Sequence, residues 1–232
     1  MRISKEKKGK TSKKVFFFFY GKKVEKRKEW WYTSFKNWQY QYIIRNTKGG
    51  ATMGYVKWSY SVLEHFCHDV FRAFGFDETQ SKEIEDVLLT ADLFGIESHG
   101  MQRMVRYHKG IEKGTIHPLA KPEVVFETPV SAVIDGHNGM GQLISIYAMK
   151  KAIEKAKKTG VGIVTVRESN HFGIAGYYAK MACDEGLLGM ACTNSEAIMV
   201  PTFGKKAMLG SNPIAVAMPA DPYPFFFDCS TT

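Results

Sequence analysis

The apolar run Val161-Gly-Ile-Val-Thr-Val166 leads directly into Arg167-Glu-Ser-Asn-His-Phe-Gly173. The first six residues are typical of a buried strand, and residues 174–185 have the pattern of a helix. His171 is therefore predicted to lie between the carboxyl end of a strand and the start of a helix. Loops at this position hold the ligands of many α/β sheets. We interpret His171 as a candidate acid/base residue.

The segments around this loop alternate between strand-like and helix-like patterns. Such a βαβ-like alternation is typical of a layered α/β domain. A glycine-rich segment, residues 135–141, contains Gly136 and Gly139-x-Gly141 but lacks G-x-G-x-x-G in the required order, so it is a weak dinucleotide fingerprint. Strands are predicted at 132–135, 161–166, 187–193, 214–218 and 225–228, and helices at 141–158 and 174–185.

Two helices are predicted upstream of this layer. The sequence Ser61-Val-Leu-Glu64 resembles a capping box for a helix ending near Gly75, and residues 77–80 begin a second helix that ends at Gly95. A proline-punctuated connection follows at 115–130. His65 and His68 could share a metal, but no third ligand lies nearby, so we favour a surface pair and predict no metal site. The expected apolar faces are Val62, Phe66, Val70 and Phe74 in the first helix, and Ile84, Val87, Leu88 and Ala91 in the second.

Three polar residues follow Gly95 at helical spacing. If the chain is helical from Gly100, then His99, Arg103 and Tyr107 share one face at i, i+4 and i+8. A guanidinium binds a carboxylate with two hydrogen bonds, and tyrosine adds a directed donor, so this face would suit a small carboxylate. The alternative is an ordinary polar helix face, and the spacing leaves both open.

Small polar residues also follow the later predicted strands, at Ser195, Asn212 and Ser230. Their side chains could donate to the phosphate or ribose oxygens of a nucleotide. They could equally cap turns, and capping is the more common role of such residues at strand ends.

The first 52 residues differ from the others in charge and pattern. They hold fifteen Lys/Arg and three Asp/Glu, whereas residues 53–232 hold seventeen and twenty. A basic arm with interleaved aromatic residues could bind nucleic acid or a membrane surface. We favour a non-native or disordered basic extension, because Lys48-Gly-Gly50 before Met53 can be encoded by a ribosome-binding site preceding the true start codon. The net charge of +9 then says nothing about nucleic-acid binding by the remainder.

Composition narrows the class of protein further. The chain has 44% hydrophobic residues and no apolar run long enough to cross a bilayer. The four cysteines are scattered without a C-x-x-C pair, which favours reduced thiols and a cytoplasmic protein over a disulfide framework or a zinc site.

Several motifs, in order and without large gaps over residues 55–232, closely resemble the malate/L-lactate dehydrogenase family that is unrelated to the Rossmann-fold enzymes. That family includes L-sulfolactate, ureidoglycolate and diketogulonate dehydrogenases or reductases. The agreement of several motifs is more specific than any one of them. The matching motifs are Gly95-Ile-Glu-Ser-His-Gly-Met-Gln-Arg103, Asn170-His-Phe-Gly173, Thr193-Asn-Ser-Glu196, Val200-Pro201, Gly204, Gly210-Ser-Asn-Pro213 and Phe227-Asp228.

The resemblance implies an α/β fold with three parts. Residues 1–52 would be the extension, 53–128 a helical substrate-side region, and 129–232 a layered NAD(P)-binding domain of non-Rossmann type. Members of the family continue well past residue 232, so the domain is expected to be incomplete at its C-terminus and the sequence to be a truncated member.

The resemblance also assigns roles to residues. The proton acceptor falls on His171, and substrate-binding residues fall on Ser98, His99, Arg103 and Tyr107. Cofactor contacts, to NAD or NADP, fall on Ser195, Asp228, Cys229 and Ser230. This chain has Cys229-Ser230 where Met-Ala is common in the family.

The implied activity is hydride transfer between NAD(P) and a small 2-hydroxy or 2-oxo acid, such as malate or L-lactate. The implied partners are the small carboxylate and a second subunit in a homodimer, without nucleic acid or membrane. Two alternatives stay open: an inactive fragment that binds no cofactor, and a nucleic-acid-binding protein led by residues 1–52.

Overall fold

The computed structural model describes residues 15–20, 40–43 and 55–232, with side chains from residue 58 onward. The strands are β1 Val15–Tyr20, β2 Tyr40–Ile43, β3 Tyr55–Trp58, β4 Glu123–Glu127, β5 Ser131–Gly139, β6 Ile163–Ser169, β7 Leu188–Thr193, β8 Ile214–Met218 and β9 Phe225–Cys229. The α-helices are α1 Tyr60–Ala73, α2 Glu78–Leu93, α3 Met104–Glu112, α4 Gly141–Thr159 and α5 Ala175–Asp184, and two 3₁₀ turns cover Glu97–His99 and Met101–Arg103.

Seven strands form one sheet in the order β4-β5-β6-β1-β7-β8-β9, and β2 pairs with β3 separately. Strands β5 and β6 are parallel, whereas β1 is antiparallel to both β6 and β7. Because β8 is antiparallel to β7 and β9, the strands β5, β6, β7 and β9 all run in the same direction. Their carboxyl ends therefore lie along one edge of the sheet, and the loop that contains His171 follows β6 at this edge.

The predicted α/β class is confirmed, and so are the elements from residue 131 onward, to within a few residues at their ends. The predicted strand 214–218 coincides with β8. The predicted helix 141–158 is α4, and the predicted helix 174–185 is α5.

One strand lies where a connection was expected. Strand β4 occupies part of the proline-punctuated segment 115–130 and pairs antiparallel with β5 at the edge of the sheet. Its Glu127 carboxylate contacts the ammonium groups of Lys151 (2.9 Å) and Lys155 (2.8 Å) on α4. These contacts between distant segments leave no periodic signal in the strand, which explains why the pattern did not predict it.

The segment 1–52 contains two strands that the sequence did not predict. The backbone of β1 pairs with β7 along its whole length, from Val15 opposite Thr193 to Tyr20 opposite Leu188. The other residues of this segment lie outside the described ranges. The interpretation as a non-native extension, and the proposed start at Met53, stay predictions.

Helix α1 differs from its prediction in both its cap and its buried face. Ser59, rather than Ser61, is the N-cap, and its side chain accepts a hydrogen bond from the backbone N–H of Val62. The predicted apolar face is wrong, because Val62 and Phe66 are 48% and 55% exposed. The helix instead buries Leu63, Cys67 and Phe71. Two apolar stripes run along this helix, and the tertiary contacts with its neighbours select between them.

Helix α2 matches its prediction. Asp77 is the N-cap and forms a reciprocal capping box with Gln80. The four residues predicted to face inward, Ile84, Val87, Leu88 and Ala91, are all fully buried.

The two histidines of α1 each bind nearby oxygens. His65 Nδ1 lies 2.6 Å from the carbonyl oxygen of Ser61. His68 lies 3.0 Å from Glu85 and 3.1 Å from Glu78. Burial of the His68 ring opposes its protonation, but the hydrogen bonds to these two carboxylates outweigh burial and raise its pKa.

The described residues form two hydrophobic clusters. One is formed by α1, α2, α3 and the adjoining turns, and it includes Phe71, Leu88 and Tyr107. The other packs α4 and α5 against the sheet, and it includes Ile134, Met149 and Val166. None of the helices in the described ranges is long and apolar enough to cross a membrane.

Candidate active site

The His171 loop is held by its neighbours on both sides. Asn170 Nδ2 lies within hydrogen-bond distance of three carbonyl oxygens, those of Thr115 (3.1 Å), Asn138 (2.8 Å) and Gly139 (3.0 Å). A Cβ atom on Gly141 would lie 2.2 Å from the carbonyl oxygen of His171, so only glycine lets the start of α4 approach this closely. The backbone that carries the imidazole is thereby fixed between β5, β6 and α4.

The His171 ring contacts side chains from two other segments. Its Nδ1 lies 2.8 Å from the hydroxyl oxygen of Tyr107, and the backbone N–H of Gly173 points to the same nitrogen at 3.3 Å. The ring stacks on His99, with centroids 5.3 Å apart and an interplanar angle of 25°. The candidate proton acceptor and two of the predicted substrate-side residues therefore lie together.

The segment that carries Ser98, His99 and Arg103 is not the predicted helix. It consists of two 3₁₀ turns separated by Gly100 in an extended conformation, and α3 begins only at Met104. The predicted i, i+4, i+8 stripe is therefore wrong as local structure, since Gly100 breaks the helical spacing. His99 and Tyr107 meet at His171 through the tertiary fold instead.

Hydrogen bonds fix this segment. The Oγ of Ser98 lies 2.9 Å from Nδ1 of His99, and Nε of Arg103 donates to the carbonyl oxygen of Ser98. The buried Asp92 on α2 accepts from the backbone N–H of Met101 at 2.9 Å. Ser98, His99 and Arg103 thus form one bonded unit supported from α2.

The environment shifts the pKa values of two aromatic residues in opposite directions. Burial, followed by the positive charges of Arg103 and Arg106, lowers the pKa of His99 below its usual value of 6.5. Burial also raises the pKa of Tyr107 well above its usual value of 10.0. At neutral pH, His99 is therefore a neutral imidazole and Tyr107 keeps its hydroxyl proton.

A cavity of about 520 Å³ opens beside His171 and Tyr107. Its wall includes three cationic side chains of α3 and the turn after it, Arg106, Lys109 and Lys113. Arg106 also lies 3.7 Å from Glu196, in an exposed pair. The sequence reasoning did not identify these three residues, although their spacing of three and four places them on one helix face. It also missed Asn170 as a fixing residue, for which only the three-dimensional contacts give a signal.

The predicted cofactor residues belong to a second group at the same sheet edge. Ser195 follows β7, and its Oγ lies 3.1 Å from Oγ of Ser211. Ser230 follows β9 and donates to the carbonyl oxygen of Ser211 at 2.8 Å. Cys229 is exposed at the end of β9. The fold therefore brings Ser195 and Ser230 together around Ser211, although they are far apart in the sequence.

Asp228 lies beside the start of α5. Its carboxylate accepts a hydrogen bond from the backbone N–H of Gly176 at 2.7 Å. Burial raises the pKa of this carboxyl, and the bond from Gly176 counteracts part of the rise. Within the described part of the chain, none of the four predicted cofactor residues lines the cavity beside His171.

The donor chemistry of this second group fits a dinucleotide. Hydroxyl groups and backbone N–H groups at strand ends suit ribose and phosphate oxygens. The group shares its sheet edge with His171.

Comparison with known proteins gives the family. The family model for malate/L-lactate dehydrogenase matches residues 58–232. Malate dehydrogenase from Pyrococcus abyssi is 46% identical over 185 residues, which is 80% of this chain and 51% of that protein. L-sulfolactate dehydrogenase from Methanocaldococcus jannaschii is 44% identical over 163 residues, 70% of this chain and 47% of that protein.

A solved structure agrees with these matches. Malate dehydrogenase from Pyrococcus horikoshii superposes with a TM-score of 0.71 at 47% identity, covering 73% of this chain and 49% of that one. The chain thus spans about half the length of the relatives that it matches. On the family match and these similarities, the chain belongs to the malate/L-lactate dehydrogenase family.

Proposed function

We propose that the chain belongs to an oxidoreductase that moves a hydride between NAD or NADP and a small 2-hydroxy or 2-oxo acid, such as malate or L-lactate. The observation that carries this proposal is the 2.8 Å hydrogen bond between Tyr107 and His171, beside a cavity with a cationic wall. Family membership and the names of the relatives support the same class of reaction.

His171 is the proposed proton carrier. Oxidation of a 2-hydroxy acid removes a hydride from C2 and a proton from the hydroxyl oxygen. An imidazole with a reference pKa of about 6.5 can accept that proton near neutral pH and return it in the reduction. When bound, the nicotinamide ring accepts or supplies the hydride.

Arg103 is the proposed carboxylate anchor. A guanidinium can form two parallel hydrogen bonds to a carboxylate, and the Nε bond to the Ser98 carbonyl oxygen fixes the plane of this group. Ser98 and the neutral His99 would orient the oxygen on C2. Arg106, one turn along from Arg103, adds positive charge at the cavity wall.

The cofactor residues proposed from the family resemblance are Ser195, Asp228, Cys229 and Ser230. The hydroxyls of Ser195 and Ser230 suit ribose or phosphate oxygens, which supports their assignment. The choice between NAD and NADP stays open, since none of these residues discriminates a 2′-hydroxyl from a 2′-phosphate by its chemistry.

The first test separates cofactor binding from turnover. NADH and NADPH are titrated into the purified chain by fluorescence, and malate, L-lactate and sulfolactate are then assayed with each oxidised coenzyme. We expect His171→Ala to abolish turnover while the coenzyme dissociation constant stays unchanged, because this side chain moves the proton. The control is His65→Ala, which alters an exposed histidine of α1.

The outcomes of this test are distinct. Turnover that survives His171→Ala contradicts the proton-carrier role. Absence of coenzyme binding by the unaltered chain favours the alternative of an inactive fragment.

The carboxylate anchor has a separate test. Arg103→Lys keeps the positive charge but loses the planar pair of donors, so we expect KM to rise and kcat to fall. Unchanged kinetic constants with all three acids would refute the anchor.

A homodimer is part of the proposal. The exposed stripe of α1 that contains Val62 and Phe66 supports an association surface, because apolar side chains gain from leaving water. Light scattering of the chain and of a Val62→Glu/Phe66→Glu variant tests it. A monomeric mass for the unaltered chain would contradict the dimer.

A further inference from the structure

Gln142 lies at the end of a line of contacts that begins at His171. This residue is in the first turn of α4 and is fully buried. Its Nε2 donates to the hydroxyl oxygen of Tyr107 at 2.8 Å. Its Oε1 is also buried, and no hydrogen-bond partner for it occurs among the described residues.

The directions of these hydrogen bonds follow from the number of available protons. The hydroxyl group of Tyr107 has one proton to donate. Because its oxygen accepts from Gln142 Nε2, that proton points to Nδ1 of His171 at 2.8 Å. The N–H of Gly173 points to the same Nδ1 at 3.3 Å. Nδ1 is therefore an acceptor, and the proton of the neutral ring resides on Nε2.

Tyr107 does not itself supply a proton to His171. Burial raises the pKa of Tyr107 above its usual value, which disfavours a tyrosinate. The hydroxyl group can still turn, and its direction determines whether Nδ1 accepts or donates. The carboxamide of Gln142, through the atom that it presents to Tyr107, sets that direction.

Rotation of this carboxamide by half a turn exchanges its donor and its acceptor. Oε1 would then accept from the Tyr107 hydroxyl, and the hydroxyl oxygen would accept from a protonated Nδ1. Nε2 would have a lone pair and could act as a base. A buried acceptor without a partner destabilises the observed orientation, so the rotated orientation stays accessible.

We propose that Gln142 is a positioning residue that acts through Tyr107 to select which ring nitrogen of His171 holds the proton. The inference rests on the proposed function, since it concerns the same proton carrier. In the oxidation, the carboxamide is in its rotated orientation and the neutral ring holds its proton on Nδ1, so the unprotonated Nε2 takes the proton of the substrate hydroxyl and gives an imidazolium whose Nδ1–H stays bonded to Tyr107. The reduction returns that proton to the substrate oxygen.

Nitrogen-15 NMR of the histidine-labelled chain tests this directly. The His171 signals are assigned by their loss in His171→Asn, and the ratio of the two neutral tautomers is read at a pH above the pKa of the ring. In the unaltered chain we expect Nδ1 to be the unprotonated nitrogen. In Gln142→Met, which keeps the length of the side chain but loses its donor and acceptor, we expect a shift towards a mixture.

The double variant distinguishes positioning through Tyr107 from a general loosening of α4. Gln142→Met, Tyr107→Phe and the combination should all give the same tautomer ratio, because each interrupts the same path. Ser145→Ala removes another fully buried polar group from α4 and should leave the ratio unchanged.

Three results would overturn the proposal. They are a protonated Nδ1 in the unaltered chain, an unchanged ratio in folded Gln142→Met, and an additional shift in the double variant. The first needs no Gln142 variant, so the proposal is testable even if Gln142→Met does not fold. The tautomer is measured without turnover, so absence of dehydrogenase activity counts against the proposed function and not against this inference.

Discussion

Two groups of predicted site residues lie at the same edge of the sheet and are built differently. The His171 region comprises residues 97–107, 141–142 and 170–173, and the strand-end region comprises residues 194–195, 210–212 and 228–230. In the His171 region, fully buried side chains such as Tyr107 and Gln142 join segments distant in sequence. In the strand-end region, partly or fully exposed serines bond to each other and to loop backbone.

This difference matches the tasks proposed for the two regions. The rate of proton transfer is sensitive to changes of a few tenths of an ångström in the distance between donor and acceptor. The groups must therefore be held in place before the substrate arrives. A coenzyme has many polar atoms and can itself order the loops that bind it. We therefore expect the His171 region to be rigid in the free protein and the strand-end region to yield.

The largest expected effect compares two glycines. In Gly141→Ala the new Cβ would lie 2.2 Å from the carbonyl oxygen of His171, a backbone atom held on both sides. We expect a loss of about 2 to 3 kcal/mol in the free energy of unfolding, after the gain in helix propensity. In Gly210→Ala the Cβ would lie 2.4 Å from the carbonyl oxygen of Ser195, in a loop that we expect to yield, so the loss should be about 1 kcal/mol. Urea unfolding measures both, and equal losses would remove the distinction between the regions.

A smaller effect compares two hydroxyl groups. Tyr107→Phe leaves the buried Nε2 of Gln142 without an acceptor, which should cost about 1 to 3 kcal/mol of unfolding free energy. Ser195→Ala removes a half-buried hydroxyl whose partners can bond to water, so about 0.5 kcal/mol is expected. Thermal unfolding of the two variants gives the comparison. A larger cost for Ser195→Ala would show that the strand-end region is the more rigid one.

The smallest effect is a difference in the sign of pH dependence. Because the pKa of His99 is lowered in the folded chain, the unfolded chain binds this proton at a higher pH than the folded chain does. The contribution of His99 to stability therefore falls as the pH falls through about 6.5. Because the pKa of Asp228 is raised in the folded chain, the folded chain binds this proton at a higher pH than the unfolded chain does. The contribution of Asp228 to stability is therefore lost as the pH rises from about 4 through the folded pKa.

Unfolding free energies of the wild type, His99→Gln and Asp228→Asn measure these contributions between about pH 4 and pH 7. The unfolding free energy of His99→Gln should rise relative to that of the wild type as the pH falls below about 6.5. The unfolding free energy of Asp228→Asn should rise relative to that of the wild type as the pH rises above about 4. The amide oxygen of the new side chain can still accept the hydrogen bond from the backbone N–H of Gly176. If the unfolding free energies of both variants changed with pH in the same direction relative to the wild type, the pKa shifts assigned to His99 and Asp228 would be contradicted.

Some features of the fold were predictable because they depend on neighbouring residues. The predicted start and inward face of α2 were correct, since Asp77 and Gln80 satisfy each other within one turn. The face of α1 was wrong, since two stripes of similar hydropathy compete and packing selects between them. Strand β4 was missed because its pairing partner and its ion pairs come from other segments.

The candidate site shows the same division. The position of His171 after a strand followed from the pattern of residues 161–173, and this prediction is confirmed. His99, Arg103 and Tyr107 were grouped on one helix, but the helix begins only at Met104 and carries Tyr107 alone of the three, yet His99 and Tyr107 do meet at His171. The roles of these residues, and those of Ser195, Asp228, Cys229 and Ser230, stay predictions.

The sequence by itself determined the order of strands and helices from residue 131, the ends of α2, and the location of His171 at a strand end. Hydrophobic periodicity and helix capping depend on residues close together in the sequence, so the sequence alone can predict them. The tertiary structure alone decided that Gln142, Tyr107 and His171 form one line of hydrogen bonds. Their side chains come from positions 29 to 64 residues apart in the sequence, and hydrogen bonds between such distant groups depend on the packing of the whole fold.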